Sequence, residues 1–150
     1  MAHWLVKSEP DVYSFAQLRK DKVTAWDGVR NHEARNNLRA MRVGDLAFFY
    51  HSNADPPGIA GIVRVAKEAY PDPTAFDPRS EYHDPRSTPE KPVWYAVDVA
   101  YERAFPRLLA RDELAARREL KGMALFKRAR LSVTPVSPKE WAAVCALAEG

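Results

Sequence analysis

The stretch AWDGVRNHEARNN, residues 25–37, places one indole ring beside a run of guanidinium and amide groups. Trp26 offers an apolar face on which a flat ring can stack. Arg30, Asn31 and Arg35 can donate hydrogen bonds to an anion or to the edge of a heterocycle. Because aromatic platforms beside cations are typical of nucleic-acid binding, these four residues predict a site for a flat, anionic ligand such as a nucleotide. The alternative is a surface helix of solvated arginines next to a core tryptophan.

Two further clusters of polar side chains come where predicted strands end. In the first, the lysine can pair with a phosphate, the serine can bond a base edge, and the glutamate can accept from an amine. The second adds an aromatic ring and either lines a pocket or marks the change from strand to loop. A lysine beside a serine also allows covalent catalysis, but neighbours on a strand point to opposite faces, so binding is the better interpretation. The first cluster is Lys7, Ser8 and Glu9, and the second is Tyr50, His51, Ser52 and Asn53.

Trp94 lies in VWYAVDVAY, residues 93–101, whose alternation predicts a strand with two different faces. One face is apolar throughout. Trp94 shares the other face with the small Ala96 and the polar Asp98, so that face is not a complete hydrophobic layer. We therefore include Trp94 among the candidate ligand-binding residues, whereas Trp4 and Trp141 fit a hydrophobic core.

Residues 117–130 carry six positive charges and a single acidic residue, Glu119. Such a run could follow a phosphate backbone. It could equally be a solvated face, as most charge runs are. The basic residues are Arg117, Arg118, Lys121, Lys127, Arg128 and Arg130.

Known cofactor and metal motifs are missing from the sequence. His3, His32, His51 and His83 do not pair with one another or with Cys145 at a metal-ligand spacing. The glycine patterns of dinucleotide-binding, P-loop and serine-hydrolase sites are also missing. The sequence therefore predicts no cofactor, no metal and no catalytic residue, and it leaves the oligomeric state open.

The composition fits one globular domain spanning residues 1–150. Hydrophobic residues make up 46% of the chain, which argues against disorder. The net charge of +3 is compatible with nucleic acid but too small to argue for it. The lone Cys145 excludes an internal disulfide and fits a structural position. We see no signal peptide and no membrane-spanning run, and we expect a soluble, cytoplasmic protein that does not bind membranes.

Hydrophobic periodicity predicts the elements that must position the candidate residues. It indicates five or six strands, four helices and a proline-rich loop over residues 70–92. Ser14, Asn31 and Ser137 are the expected N-caps. Because regular βαβ alternation is missing, we expect an α+β fold with a mainly antiparallel or mixed sheet, and rolled sheets of this length often close into a small barrel. The predicted strands are residues 3–7, 23–26, 45–51, 59–69, 93–101 and 131–133, and the predicted helices are 11–20, 32–41, 111–119 and one after Ser137.

The predicted helix 32–41 carries two stripes at helical spacing. The polar stripe is expected to face the ligand, and the apolar stripe is expected to face the core. The polar stripe is Asn31, Arg35, Arg39 and Arg42, and the apolar stripe is Ala34, Leu38 and Met41.

Five blocks of the sequence resemble the EVE domain, in order and over almost the whole chain. The resemblance implies a PUA-like fold, which is a small mixed β-barrel or curved sheet flanked by helices. It also implies kinship with the YTH and ASCH domains. The blocks are WLVKSEP, TAWDGVRNHEARNNLRAMRVGD, FFYHSNADPPGIAGIVRVAKEAYPDPTAFDP, STPEKPVWYAVDV and RLSVTPVSPKEW.

The resemblance also implies a role for individual residues. YTH domains hold a methylated adenine in an aromatic cage, and EVE domains are associated with modified bases, with modified cytosine in DNA as the leading proposal. Modified RNA is the alternative ligand. The motifs shared with the YTH domain fall on Lys7 and Ser8, on Trp26, on His51 and Ser52, and on Trp94.

Residues and resemblance together give three hypotheses. The first is a non-enzymatic module that stacks a modified base on Trp26 and Trp94 while Lys7, Arg30 and Arg35 hold phosphate. The second is a PUA-like RNA-binding module that recognises structured or modified RNA through the basic run. The third is an enzyme acting on a nucleobase, for which the sequence shows no catalytic constellation.

Overall fold

The computed structural model describes residues 1–150. It contains six strands, five α-helices and two short 3-10 helices. The strands are β1 (His3–Ser8), β2 (Val23–Trp26), β3 (Leu46–His51), β4 (Gly58–Pro71), β5 (Tyr95–Ala110) and β6 (Val133–Val136). The α-helices are α1 (Phe15–Asp21), α2 (His32–Ala40), α3 (Arg111–Ala115), α4 (Ala124–Lys127) and α5 (Pro138–Glu149), and the 3-10 helices are Pro73–Phe76 and Arg118–Leu120.

The six strands form one mixed sheet in the order β2-β5-β4-β3-β1-β6. β1 pairs with β3 in parallel, and the other neighbours are antiparallel. Shifts of register along β4 and β5 are bulges or irregularities of the kind that bend a sheet. The two edge strands, β2 and β6, do not pair with each other. The mixed sheet is confirmed, and of the two expected forms, a small barrel or a curved sheet, the structure has the open one.

Each face of the sheet carries its own hydrophobic cluster. Phe48 and Phe49 are neighbours on β3 and therefore point to opposite faces, and each is fully buried in a different cluster. Trp4 is buried in the cluster that includes α1 and α2. Trp141 on α5 stacks on Phe48 with ring centroids 3.9 Å apart. The two tryptophans assigned to the core from the sequence are packed as expected.

The predicted helix starts are confirmed by their caps. The Ser14 side chain accepts from the amide of Gln17 at 3.0 Å, at the start of α1. The Asn31 side chain accepts an amide of the first turn of α2 at 2.9 Å. At α5, Ser137 and Glu140 bond each other's backbone amides and form a complete capping box.

Several element boundaries differ from the prediction, among them that of β5, which begins at Tyr95 and leaves Trp94 outside the strand. α1 starts at Phe15, so Val12 precedes the helix and is 69% exposed rather than packed. The predicted helix 111–119 breaks into α3 and a 3-10 turn. The last strand is β6, residues 133–136, rather than the predicted residues 131–133. It tolerates Pro135, which has no backbone N–H, because the outward side of an edge strand needs no hydrogen-bond donor.

The apolar stripe of α2 faces the core as predicted. Ala34, Leu38 and Met41 are at most 1% exposed. None of the helices combines the length and the apolarity that a membrane span needs.

Candidate functional site

A cavity of about 770 Å³, the main cavity, opens where β1 and β3 end. The two strands run parallel with Ser8 opposite His51, so their carboxyl ends meet at one edge of the sheet. The turn between β2 and α2 forms a second wall, and the proline-rich loop forms a third. Six predicted site residues line the main cavity: Lys7, Ser8, Glu9, Trp26, Arg30 and Ser52.

Hydrogen bonds fix the polar groups at the strand ends. Ser8 Oγ donates to the carbonyl oxygen of Tyr13 at 2.7 Å, and the Ser8 carbonyl accepts from the Ser52 amide at 3.0 Å. Asn53 Nδ2 donates to Glu9 Oε1 at 2.7 Å. Because the only hydroxyl proton of Ser8 is committed to Tyr13, its oxygen can only accept from a ligand. This wall of the cavity therefore suits an amino group.

Trp26 lines the main cavity and belongs to the core at the same time. It is only 8% exposed and lies in the same hydrophobic cluster as Phe49. The two rings meet edge to face, with centroids 5.4 Å apart and an interplanar angle of 86°. Trp26 is thus not the freely exposed stacking platform that the sequence predicted.

Arg30 anchors the proline-rich loop. Its Nε and Nη2 donate to the Tyr82 carbonyl oxygen at 3.1 and 2.7 Å, and Nη2 also donates to Thr74 Oγ1 at 3.1 Å. Its Nη1 donates to Asp72 Oδ2 at 3.0 Å and to the Val29 carbonyl at 2.8 Å. These bonds use all five N–H groups of the guanidinium. Contrary to the prediction, Arg30 has no free donor for a phosphate.

Asp72 is the buried partner that holds Arg30. It also accepts from the Gly28 amide at 2.8 Å and from the hydroxyl of Thr74 at 2.6 Å. Burial by itself would raise the pKa of Asp72, but the hydrogen bonds from Thr74, Gly28 and Arg30 outweigh it and lower the pKa. Asp72 therefore stays charged and ties the start of α2 to the loop.

Gly28 allows the Tyr82 ring to close over the turn. Its φ of +75° lies in the left-handed region, and an added Cβ would lie 2.9 Å from the Tyr82 ring. Only glycine combines this backbone conformation with so close an approach. Gly28 and Tyr82 thus form one wall of the main cavity together.

Asn31 and Arg35 lie outside the main cavity, contrary to the prediction. Asn31 caps α2 and lines a smaller cavity of about 270 Å³, the side cavity. Arg35 Nη1 donates to the Val93 carbonyl at 2.9 Å. The guanidinium carbon of Arg39 lies 4.6 Å from the Tyr95 ring centroid. Arg35 and Arg39 of the polar stripe therefore pack against the residues that precede and begin β5 instead of lining the main cavity.

Trp94 is a structural residue and not a binding platform. It is 3% exposed, and its Nε1 donates to Asp84 Oδ2 at 2.7 Å. The His32 ring stacks on it at 4.8 Å, and the guanidinium carbons of Arg30 and Arg35 lie 5.4 and 5.9 Å from its centroid. No face of this indole is left for a base, which contradicts the prediction.

Tyr50 and His51 also have structural surroundings, contrary to the prediction. Tyr50 is 4% exposed in the cluster that packs on α5, and burial raises its pKa. His51 Nε2 accepts from the Phe15 amide at 3.1 Å, so the ring is neutral at that nitrogen. Burial lowers the pKa of His51 and favours this neutral form.

Lys7 joins the main cavity to the segment before β6. Its Nζ donates to the Ala129 carbonyl at 3.0 Å, and its amide donates to the Ser132 carbonyl at 3.0 Å. Burial, and then the nearby Arg111, lower the pKa of Lys7. Lys7 therefore has a structural role in addition to any contact with a ligand.

The charges around the main cavity suit a neutral ligand better than an anion. Arg30 is neutralised by the buried Asp72, and burial followed by the charge of Asp72 raises the pKa of Asp27. The structure contains no group of three or more Asp, Glu, His or Cys side chains that could bind a metal ion. The charged residues of the lining are Lys7, Arg30, Arg130, Glu9, Asp27 and Glu81.

Two aromatic lining residues, Tyr13 and Tyr82, were missed from the sequence. Tyr82 lies in the proline-rich loop, whose length indicated a functional role without naming a residue. Asn53, the last residue of the predicted cluster at the end of β3, does line the main cavity. The sequence predicts that Tyr13 lies in a helix, whereas α1 begins at Phe15, two residues after Tyr13.

Comparison with known sequences identifies relatives along the whole chain. The family model described as the EVE domain matches residues 2–147. Human thymocyte nuclear protein 1 is 42% identical, over 99% of this chain and 74% of the relative.

Solved structures share the fold. The crystal structure of human THYN1 protein in complex with 5-methylcytosine containing DNA has a TM-score of 0.96 and 42% identity, covering 100% of this chain and 99% of the other. A crystal structure from Pseudomonas putida has a TM-score of 0.95 and 53% identity, covering 98% and 99%. The expected α+β, PUA-like architecture is confirmed as an open mixed sheet flanked by helices.

Proposed function

Because the chain belongs to the EVE domain family, we propose that it is a DNA-binding module that recognises a modified base, in the first place a modified cytosine, in the main cavity. The observation that carries the proposal is a cavity with fixed hydrogen-bond acceptors and little net charge. Its volume lies in the range of small-ligand sites. The THYN1 complex with 5-methylcytosine containing DNA supports the choice of ligand.

A base can reach the main cavity only by leaving the duplex. Flipping costs a few kcal/mol, and stacking on an aromatic side chain returns about 1–3 kcal/mol per base. Tyr13, Trp26 and Tyr82 are the aromatic residues of the lining. Since Trp26 is almost buried, Tyr82 is the better candidate for the stacking face.

The polar groups match the edge of cytosine. Its exocyclic amine donates, and the Ser8 oxygen and the Glu9 carboxylate accept. Asn53 has one amide N–H left after its bond to Glu9, and this can donate to a ring acceptor. The cavity thus offers acceptors and a donor on one wall.

The apolar part of the lining can take a methyl group. Val12, Ala25 and Val29 lie in the same cavity. Burying one additional carbon is worth about 0.8 kcal/mol, or about fourfold in affinity, and a tight pocket reaches about 1–3 kcal/mol. We therefore expect a modest preference for the modified base, added to larger contributions from the DNA backbone.

The contacts of Lys7 and Ser8 favour binding over catalysis. The Ser8 hydroxyl donates to Tyr13, and Lys7 Nζ donates to Ala129. Lys7 is therefore not placed to activate Ser8 as a nucleophile.

The test is a fluorescence-anisotropy titration with labelled oligonucleotides that differ only in one cytosine, plain or 5-methylated, in DNA and in RNA. We expect tighter binding of the methylated DNA by at least about fourfold. Equal affinity for methylated and plain DNA would overturn the proposal, and a preference confined to RNA would reassign the ligand.

Tyr82→Ala and Trp26→Phe are the informative variants, and Trp141→Phe is the matched control. Trp141 lies outside both cavities and packs on Phe48. Both cavity variants should reduce the preference for the methylated oligonucleotide, while Trp141→Phe should leave it unchanged.

A further inference from the structure

We propose that the side cavity binds a phosphodiester group of the strand that delivers its base to the main cavity, with Lys127 and Arg130 as the phosphate ligands. The inference rests on the proposed function for the choice of nucleic acid. The side cavity is lined by Asn31, Lys127, Arg128, Ala129, Arg130 and Leu131.

The two cavities are neighbours that share a wall. Ala129 and Arg130 line both of them. We call residues 128–132 the ridge, since they separate the two spaces. A strand whose base enters the main cavity must carry its sugar-phosphate backbone past the rim, and the ridge forms part of that rim.

The charges of the two cavities differ, as a nucleotide with a neutral base and an anionic phosphate requires. In the main cavity the carboxylates of Glu9, Asp27 and Glu81 offset the three cations of the lining, so a phosphate gains little there. The side cavity contains no acidic residue. A neutral base therefore fits the main cavity, and an anionic phosphate fits the side cavity.

Only part of the basic run is available for this contact. Arg128 forms a two-bond ion pair with Glu33, in which Nη1 lies 2.8 Å from Oε2. Arg117 pairs with Glu119 at 3.4 Å. Lys127 and Arg130 are exposed and form neither an ion pair nor a side-chain hydrogen bond within the protein. They are the free cations next to the main cavity.

The ridge is held in place from both sides before any ligand binds. Lys7 donates to the Ala129 and Ser132 carbonyls on one side, and Glu33 of α2 holds Arg128 on the other. A fixed backbone lowers the ordering cost of binding, so two exposed side chains can contribute effectively.

The experiment measures DNA affinity as a function of salt for Lys127→Gln/Arg130→Gln and for the control Arg118→Gln/Lys121→Gln. Both double variants remove two exposed positive charges from the same run, but Arg118 and Lys121 line neither cavity. Each phosphate contact contributes about 0.9 to the slope of log K against log salt. The slope is negative, and in Lys127→Gln/Arg130→Gln, the ridge variant, its magnitude should be smaller by about 1.8. The loss of affinity in this variant should therefore be roughly tenfold larger at about 50 mM than at about 200 mM salt.

The control variant should change the slope by less than half as much. The ratio of affinities for methylated and plain DNA should be the same in Lys127→Gln alone as in the wild type, because Lys127 lines only the side cavity and phosphate contacts carry no base information. An unchanged slope in the ridge variant, or an equal change in both variants, would overturn the phosphate site. If the wild type shows no preference for the modified base, the proposed function fails, while the slopes measured on plain DNA still decide the phosphate site.

Discussion

Nη1 of Arg30 lies 3.0 Å from Oδ2 of Asp72, and this ion pair joins the turn before α2 to the proline-rich loop. The Asp72 side chain is fully buried, and the Arg30 side chain is 23% exposed. The same guanidinium fixes the carbonyl of Tyr82. The shape of the main cavity therefore depends on a pair of charges that need not touch the ligand.

Arg30→Ala should destabilise the protein strongly, because it leaves the buried Asp72 carboxylate without its cation. Removing one partner of a buried pair costs about 3–5 kcal/mol, which corresponds to a fall in Tm of roughly 6–20 °C for a domain of this size. Thermal unfolding followed by circular dichroism measures the change. Arg42→Ala is the control, since its pair with Glu68 is exposed and should contribute at most about 1 kcal/mol. Similar losses in both variants would contradict the role of the Arg30–Asp72 pair.

The stability supplied by Asp72 should depend on acid pH. Its pKa in the folded protein is below the ordinary value of 3.8, so its contribution is complete above pH 3.8 and is lost as the pH falls through the lowered value. The free-energy difference between the wild type and Asp72→Asn should be constant from neutral pH to about pH 5 and should then shrink. Urea unfolding over a pH series measures it, and a difference that grows on acidification would disprove the assignment.

Gly28→Ala should destabilise the protein through two separable effects. The left-handed conformation of residue 28 costs a non-glycine residue about 1–2 kcal/mol, and the new Cβ meets the Tyr82 ring at 2.9 Å. The second effect should disappear in a Tyr82→Ala background. A double-mutant cycle by urea unfolding tests this. Strict additivity of the two substitutions would show that the ring does not restrict residue 28.

Trp26→Ala should unfold or greatly weaken the protein, because Trp26 is part of the core. Truncating a buried tryptophan costs about 3–5 kcal/mol. Trp26→Phe keeps most of the volume and should cost much less. Comparing the unfolding midpoints of the two variants checks this. A fully stable Trp26→Ala protein would show that the indole only lines the cavity and does not contribute to the core.

His51 should remain neutral at a pH where a free histidine is half protonated. Burial lowers its pKa below the ordinary 6.5, so its contribution to stability is complete above pH 6.5 and declines as the pH falls through the lowered value. NMR titration of the ring gives the pKa directly, and His51→Gln should remove this part of the pH dependence. His83→Gln, which alters an exposed loop histidine, is the matched control. An elevated pKa for His51 would contradict its role as acceptor for Phe15.

Local sequence predicted most of the architecture. The caps at Ser14, Asn31 and Ser137 depend on residues within a few positions, and the strand alternation depends on burial of one face, so both are visible in the chain itself. The sequence left open whether the sheet closes, because pairing between β2 and β6 depends on the curvature of the whole sheet.

The candidate site was harder to predict, because residue type does not reveal which partners a side chain will find. Arg30 and Arg35 have the chemistry of phosphate ligands, yet their donors are used by Tyr82 and Val93, 52 and 58 positions away. Trp94 was placed in the site for the same reason, and His32 covers it. In contrast, the structure does bring Lys7, Ser8 and Glu9 together at the main cavity, since the end of a strand is a local feature.

The walls of the main cavity come from Lys7 at one extreme and Ser132 at the other, and Lys7 reaches across 122 positions to Ala129. Because synthesis proceeds from the amino terminus, the growing chain contains Ser8 and Trp26 for most of its synthesis before the main cavity can form. Because contacts so distant in sequence form only together with the rest of a cooperative fold, the protein acquires its shape and its binding site in one step. A chain that ends before Ser132 should not bind nucleic acid. Such a chain should therefore not compete with the finished protein as a weaker, less selective binder.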